Sequence, residues 1–192
     1  MERVLTAFAH RDYRWLWLVL MSSAIMHWMR ILGTAQWLLD NTGSAFLVGL
    51  IGVVQLVVQI PALLWGGSLA DRIDRKLLIA IANATQGVVL LLLCVLNWQG
   101  ALTPFMVYLA IAVAAAAQST VNPARSALVA LVVPRDQLMH AVSTDAASAN
   151  AAAIAGPLLF AALTVSLGLT TTFLVASAIA FAGALFPLLV RA

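Results

Sequence analysis

The chain has 192 residues, of which 64% are hydrophobic and 9% are charged. Soluble domains average about 45–50% apolar and about 25% charged residues. A soluble protein of this length is therefore excluded, and the excess apolar surface must face lipid. The net charge of +3 comes from few, scattered basic residues, which excludes a nucleic-acid partner. The sequence predicts an all-α integral membrane protein whose first partner is the lipid bilayer.

Six apolar runs are each long enough to cross the hydrocarbon core, which takes about 20 helical residues. Pro104 opens the fourth run, and Pro123 lies inside it. This run is either one long kinked helix or a helix that ends near Val121, and we favour the former. The chain is expected to form a single six-helix transmembrane bundle over residues 1–192, with spans at about 15–39, 45–66, 77–96, 104–133, 138–164 and 171–190.

The basic residues predict the orientation of these spans. Arg or Lys residues occur before span 1 and after spans 2, 4 and 6, whereas the loops 40–44, 97–103 and 165–170 contain none. By the positive-inside rule, both termini lie in the cytoplasm. We therefore expect a multi-pass protein of the cell membrane, whether inner or plasma membrane.

Polar residues recur at helical spacing inside several spans. His27, Arg30 and Thr34 share one stripe of span 1. A charge in the bilayer costs at least about 2.5–3.5 kcal/mol, so Arg30 is expected to face a watery cavity or a buried acid. Asp145 is the acid well inside a span. Its depth differs from that of Arg30 by roughly 10 Å, so a direct pair between them is possible only with helix tilt and an extended arginine. The amides either join helices or line a cavity for substrate or coupling ion. The cavity candidates are His27, Arg30, Thr34, Gln55, Gln59, Gln118, Asn122, Arg125 and Asp145.

Motifs for catalysis and for cofactor binding are missing from the sequence. It contains one cysteine, and it has no H-E-x-x-H spacing, no G-x-S-x-G elbow and no P-loop. We therefore expect no enzyme activity, no metal site and no cofactor.

The charged stretch GGSLADRIDRKLL (66–78) lies in the predicted cytoplasmic link between spans 2 and 3. Its pattern G-x-L-A-D-R-x-D-R-K resembles the signature of the major facilitator superfamily between its second and third helices, with Asp74 where glycine is commonest. The stretches RDYRWLW (11–17) and NTGSAFLVGL (41–50) resemble further landmarks of that superfamily. NPARSALVALVVPRDQL (122–138) and AGPLL (155–159) resemble its branch of drug and siderophore exporters, which includes the enterobactin exporter.

The resemblance implies a secondary transporter in which two six-helix bundles rock around a central site, each bundle made of two inverted three-helix repeats. It also implies that Asp71 caps a helix of the other bundle, and that Arg75 pairs with Asp136 to hold the cytoplasmic side closed. The candidate gating residues are Gly67, Asp71, Arg72, Arg75, Lys76 and Asp136.

The superfamily has twice as many helices as the six spans found in this sequence. The chain is therefore expected to be an N-terminal half whose partner is a C-terminal six-helix half, or one of two copies that form a homodimer, and we favour the half as a fragment. The expected function is efflux of a small-molecule substrate of amphipathic character by an antiporter, with a proton as the coupling ion. The alternative is a non-transporting six-helix module that acts as an assembly partner or homodimer.

Overall fold

The computed structural model describes residues 11–70, 73–134 and 137–190, and of residues 64–70 it describes the backbone only. These residues form long helices with no strand among them, and five helical segments have the length and apolar composition to cross a membrane. The all-α membrane fold is thereby confirmed. The helices are α1 (Arg11–Thr42), α2 (Ala45–Ala70), α3 (Arg75–Trp98), α4 (Pro104–Val132) and α5 (Leu138–Leu185), followed by a 3₁₀ turn at Phe186–Leu189.

Helix α5 is interrupted at Gly168, whose φ of 81° and ψ of 167° are not helical. Glycine reaches positive φ without the clash that a Cβ atom would cause. The hydroxyl oxygens of Thr164 and Thr172 lie 3.1 Å apart, although eight residues of continuous helix would separate them by about 12 Å. The chain therefore turns back at Gly168. We call residues 138–167 the first arm of α5 and residues 169–185 its second arm; they correspond to the fifth and sixth predicted spans.

Helix α4 begins at a strong local start signal. The Thr103 hydroxyl accepts a hydrogen bond from the backbone of Met106 at 3.4 Å, and Pro104 occupies the first turn, where its missing N–H costs nothing. Pro123 lies inside α4, and the helix continues to Val132. The fourth run therefore forms one long helix and does not end near Val121, so residues 122–132 belong to α4.

The core is organised around α1 and the two arms of α5. Helix α1 packs mainly against α5, α3 packs against α5 and α4, and α2 packs mainly against α4. Glycine allows close approach of α1 and α5, since a Cβ atom on Gly156 would lie 2.7 Å from the Cβ atom of Trp28. Helix α2 is much less covered than the other helices. Its exposed apolar side chains include Phe46, Val53, Leu56, Val57, Ile60 and Leu63.

Candidate functional site

A cavity of about 380 Å³ lies between α1, α2, α4 and the first arm of α5. Leu20, Trp28 and Val121 give it an apolar wall, and polar side chains enter it from all four segments. Its polar lining consists of Ser23, His27, Gln59, Gln118, Asn122, Arg125 and Asn150. The structure therefore brings together five of the nine cavity candidates, namely His27, Gln59, Gln118, Asn122 and Arg125.

An ion pair adjoins this cavity. Arg125 Nη1 donates to Asp145 Oδ2 at 2.6 Å, and the two side chains are only 10% and 13% exposed. The Tyr13 hydroxyl donates to the other carboxylate oxygen of Asp145 at 3.0 Å. Three elements, α4, α5 and α1, thus meet at one carboxylate. A charge-assisted pair in this setting fixes the relative positions of the helices that carry it.

The direct pair between Arg30 and Asp145 that the sequence left open does not form. Asp145 is bonded to Arg125 instead. The physical reason is depth, since the helical rise per residue predicts that Arg30 and Asp145 are roughly 10 Å apart along the membrane normal, whereas Arg125 reaches the carboxylate directly.

The ion pair also adjoins a second cavity. This cavity, of about 230 Å³, is lined by Arg125, Ser126, Val129, Leu138 and Asp145 among others. Arg125 lines both cavities, and Asp145 lines the smaller one.

Arg30 is buried more deeply than the sequence suggested. It is 1% exposed, and its Nη2 atom lies 3.4 Å from Nδ1 of His27. Its Nε and Nη1 atoms have no hydrogen-bond partner in the described part of the chain. No described acid lies within ion-pair distance of it, and it does not line the 380 Å³ cavity. Among the described residues, Arg30 therefore has neither an acid beside it nor a place in the lining of this cavity, and the expectation of a watery surface or an acid next to it stays a prediction.

Two further candidates lie away from the cavity. Thr34 is fully buried, and its hydroxyl donates to the backbone oxygen of Arg30 at 2.9 Å. Gln55 is half-buried and is absent from the lining of either cavity. For Thr34 the reason is local, because a threonine in a helix satisfies its hydroxyl on the preceding turn.

Several amides join helices, as the alternative interpretation of these residues held. Gln86 Nε2 donates to Gln118 Oε1 at 2.6 Å, which links α3 to a cavity residue of α4. The Ser23 hydroxyl donates to Asn83 Oδ1 at 3.1 Å. Such bonds across helices position the cavity wall.

Two site residues were missed by the sequence reasoning. Tyr13 contacts Asp145, and Trp17 Nε1 donates to the Ser148 hydroxyl at 2.7 Å. The available signal was their spacing of four residues, which places two polar-tipped aromatic side chains on one face of α1. Both lie in RDYRWLW (11–17), which was interpreted only as a landmark of the superfamily.

Half of the predicted gating residues fall outside what the structure describes. Asp71, Arg72 and Asp136 lie outside the described residues, and only the backbone of Gly67 is described, as part of α2. Arg75 and Lys76 begin α3 and are half-buried.

Two contacts are described at the start of α3. The Asp74 carboxylate accepts a hydrogen bond from the backbone of Lys76 at 2.9 Å, so this residue, which departs from the usual glycine, caps the helix. Lys76 Nζ donates to the backbone oxygen of Val190 at 2.9 Å. The start of α3 is thereby tied to the far end of the described chain.

No metal cluster occurs in the described ranges, where no three His, Cys, Asp or Glu side chains come together in a way that could hold an ion. The polar lining and the Arg125–Asp145 pair are the chemical features that the cavity offers.

Comparison with known proteins identifies relatives of the chain. Residues 16–192 match the Major Facilitator Superfamily. The chain is 28% identical over 136 residues to a Na(+), Li(+), K(+)/H(+) antiporter of Planococcus maritimus, an alignment that covers 71% of the chain and 32% of that relative. The chain thus spans about a third of the length of this relative. No solved structure matches the chain significantly. The family match confirms the superfamily resemblance and the expectation that the chain is a transporter component, not an enzyme.

Proposed function

Because the chain belongs to the Major Facilitator Superfamily, we propose that it forms one six-helix half, with two inverted three-helix repeats, of an ion-coupled secondary transporter. The observation that carries this proposal is the 380 Å³ cavity, whose polar lining comes from four helical segments inside an otherwise apolar bundle. Polar side chains are costly inside a membrane and mark the pathways of substrates and ions. In this proposal a C-terminal half, or a second copy, closes the cavity from the other side.

The proposed substrate is a small amphipathic molecule, and the proposed direction is export. The cavity sets Trp28 and Leu20 beside Gln59 and Asn122, which offers apolar surface and hydrogen-bonding groups together. Its volume falls within the range of about 300–1,000 Å³ that holds small ligands. The direction is supported by the resemblance of residues 122–138 and 155–159 to the exporter branch.

We propose Asp145 as the residue that binds the coupling ion, with a proton as that ion. A proton on this carboxylate would remove its charge and weaken its bond to Arg125. The link between α4 and the first arm of α5 would then loosen. Proton binding would in this way change helix positions, as alternating access requires.

A monovalent cation is a second candidate substrate. The relative from Planococcus maritimus is named for Na(+), Li(+) and K(+) exchange with H(+). A small cation could compete with the proton for the Asp145 carboxylate.

The proposed gate is the cytoplasmic loop with Gly67, Asp71, Arg72, Arg75, Lys76 and Asp136. Its support is the superfamily motif together with the hydrogen bond that ties Lys76 to Val190. In this proposal Asp71 caps a helix of the opposite half, where a carboxylate suits the positive end of the helix.

Everted membrane vesicles that contain the full-length protein test these proposals. A proton gradient is imposed, and proton release is followed after addition of an amphipathic compound or of Na⁺, Li⁺ or K⁺. We expect Asp145→Asn to abolish ligand-dependent proton release, and Asp71→Asn to slow it at equal membrane content. Asp40→Asn is the matched control, because Asp40 is exposed at the end of α1, and it should retain wild-type activity.

The same assay separates the alternatives. Release on addition of cations only would favour the second substrate class. Protein that reaches the membrane but moves neither class of ligand would contradict transport and support the non-transporting module.

A further inference from the structure

Arg30 carries a buried positive charge that the described chain does not neutralise. Its exposure is 1%, and the ion pair that the described residues form joins Arg125 to Asp145. Its Nε and Nη1 groups lack any partner there. Burying an ion without a counter-charge is strongly unfavourable, because the ion loses its hydration and gains no opposite charge. Such a cost implies that something negative reaches this guanidinium during function.

His27 connects Arg30 to the cavity. An arginine has no hydrogen-bond acceptor, so the contact of 3.4 Å between Arg30 Nη2 and His27 Nδ1 requires His27 Nδ1 to accept. The imidazole is then neutral, with its proton on Nε2. His27 also lines the 380 Å³ cavity, so its side chain is the wall that separates the buried guanidinium from the cavity space.

The charge balance around the cavity is positive. The one charged side chain in its described lining is Arg125, and Asp145 already neutralises that group. No acidic side chain belongs to the described lining. The uncompensated charge next to the cavity is therefore that of Arg30, one helical turn from His27 on α1.

From these observations we propose that the cavity binds organic anions, and that the carboxylate or phosphate of the ligand becomes the counter-charge of Arg30 at the position of His27. A guanidinium binds such groups through two parallel hydrogen bonds. A ligand that displaces the His27 ring from Arg30 gains these bonds and relieves the buried charge. The inference rests on the proposed transport function, since it names the substrate class of the same cavity.

Intrinsic tryptophan fluorescence can test the anion site. Trp28 lines the cavity and packs edge-on against the His27 ring with centroids 6.1 Å apart. Bromine quenches tryptophan on contact, so we choose 4-bromobenzoate, 4-bromobenzylamine and 4-bromobenzyl alcohol, which differ mainly in charge. The full-length protein in nanodiscs is titrated with each compound, and Trp28→Phe identifies the part of the quenching that comes from the cavity.

We expect the wild-type protein to bind 4-bromobenzoate at least about tenfold more tightly than the amine or the alcohol, as for a hydrogen-bonded charge. Arg30→Gln should weaken benzoate binding by about ten- to hundredfold and leave the alcohol unchanged. Arg30→Lys should retain part of the preference. Arg14→Gln is the matched control, because it removes an exposed arginine from the same helix, and it should bind like the wild type.

Two results would overturn the proposal. One is equal binding of the three compounds to the wild type, which needs no variant and would indicate that an acid elsewhere in the protein neutralises Arg30. The other is undiminished benzoate binding by a folded Arg30→Gln protein. Anion binding without any transport would contradict the proposed function alone, and transport restricted to cations would contradict the anion site alone.

Discussion

Removing Arg125 from its ion pair should destabilise the bundle strongly. Loss of one partner from a buried pair costs about 3–5 kcal/mol, because the other charge remains buried. The side chains of Arg125 and Asp145 retain 10% and 13% exposure, and Tyr13 keeps its hydrogen bond to the carboxylate. We therefore expect the lower end, about 3 kcal/mol, for Arg125→Met. For a chain of this length the melting temperature should fall by about 6–12 °C.

The double variant distinguishes an ion pair from two independent contacts. Replacing both charges by apolar residues of similar volume is often neutral or stabilising. Arg125→Met combined with Asp145→Leu should therefore be more stable than either single variant. Arg14→Met, at an exposed arginine of α1, should change stability by no more than about 0.5 kcal/mol.

Cys94 provides the assay. It is the one cysteine of the chain, and it is 7% exposed. A thiol-reactive fluorophore therefore reports unfolding during a heating ramp without any added label site. If the double variant were destabilised by the sum of the two single effects, the coupling free energy would be zero and the reasoning about the pair would be refuted.

Two local predictions concern packing and capping. Gly156→Ala places a Cβ atom 2.7 Å from Trp28 Cβ and should lower the free energy of unfolding by about 1–3 kcal/mol. Gly52→Ala is the control, since a Cβ atom there has nothing within 4 Å, and it should be neutral or slightly stabilising. Equal melting temperatures of the two variants would contradict the packing at Gly156. Asp74→Ala removes the cap of α3 and should lower the free energy of unfolding by about 1 kcal/mol. Asp74→Asn can still accept the hydrogen bond and should retain most of this stability. The loss should appear as faster amide exchange in the first turn of α3, and unchanged exchange would argue against the cap.

Helix positions could be predicted from the sequence because the signals are local. The length of each apolar run and Pro104 at the start of the fourth run are signals read from the run itself. These signals do not encode tilt or the height of one helix against the next. The partner of Asp145 depends on that height, so the sequence left Arg30 open as a partner where the structure has Arg125.

The polar stripe of α1 shows a second limit of periodicity. Spacing places His27, Arg30 and Thr34 on one side of the helix, and it does not tell which neighbour covers that side. Both arms of α5 pack on α1, and Arg30 and Thr34 are buried. His27 remains half-exposed at the edge of the stripe and reaches the cavity. A polar stripe therefore indicated the right helix, and the packing decided which of its residues contribute to the site.

The position of the anion would set the sign of coupling between substrate and proton. An anion bound at Arg125 would take the partner of Asp145 and favour its protonation, so that anion and proton bind together. An anion bound at Arg30 leaves the Arg125–Asp145 pair intact, so its binding recruits no proton to Asp145. Linkage is reciprocal, so the proton count on binding reports the site. In the His27→Gln protein the displaced side chain cannot accept a proton, so titration of this full-length variant with 4-bromobenzoate in weak buffer should take up no proton. Uptake of a proton by this variant would place the anion at Arg125.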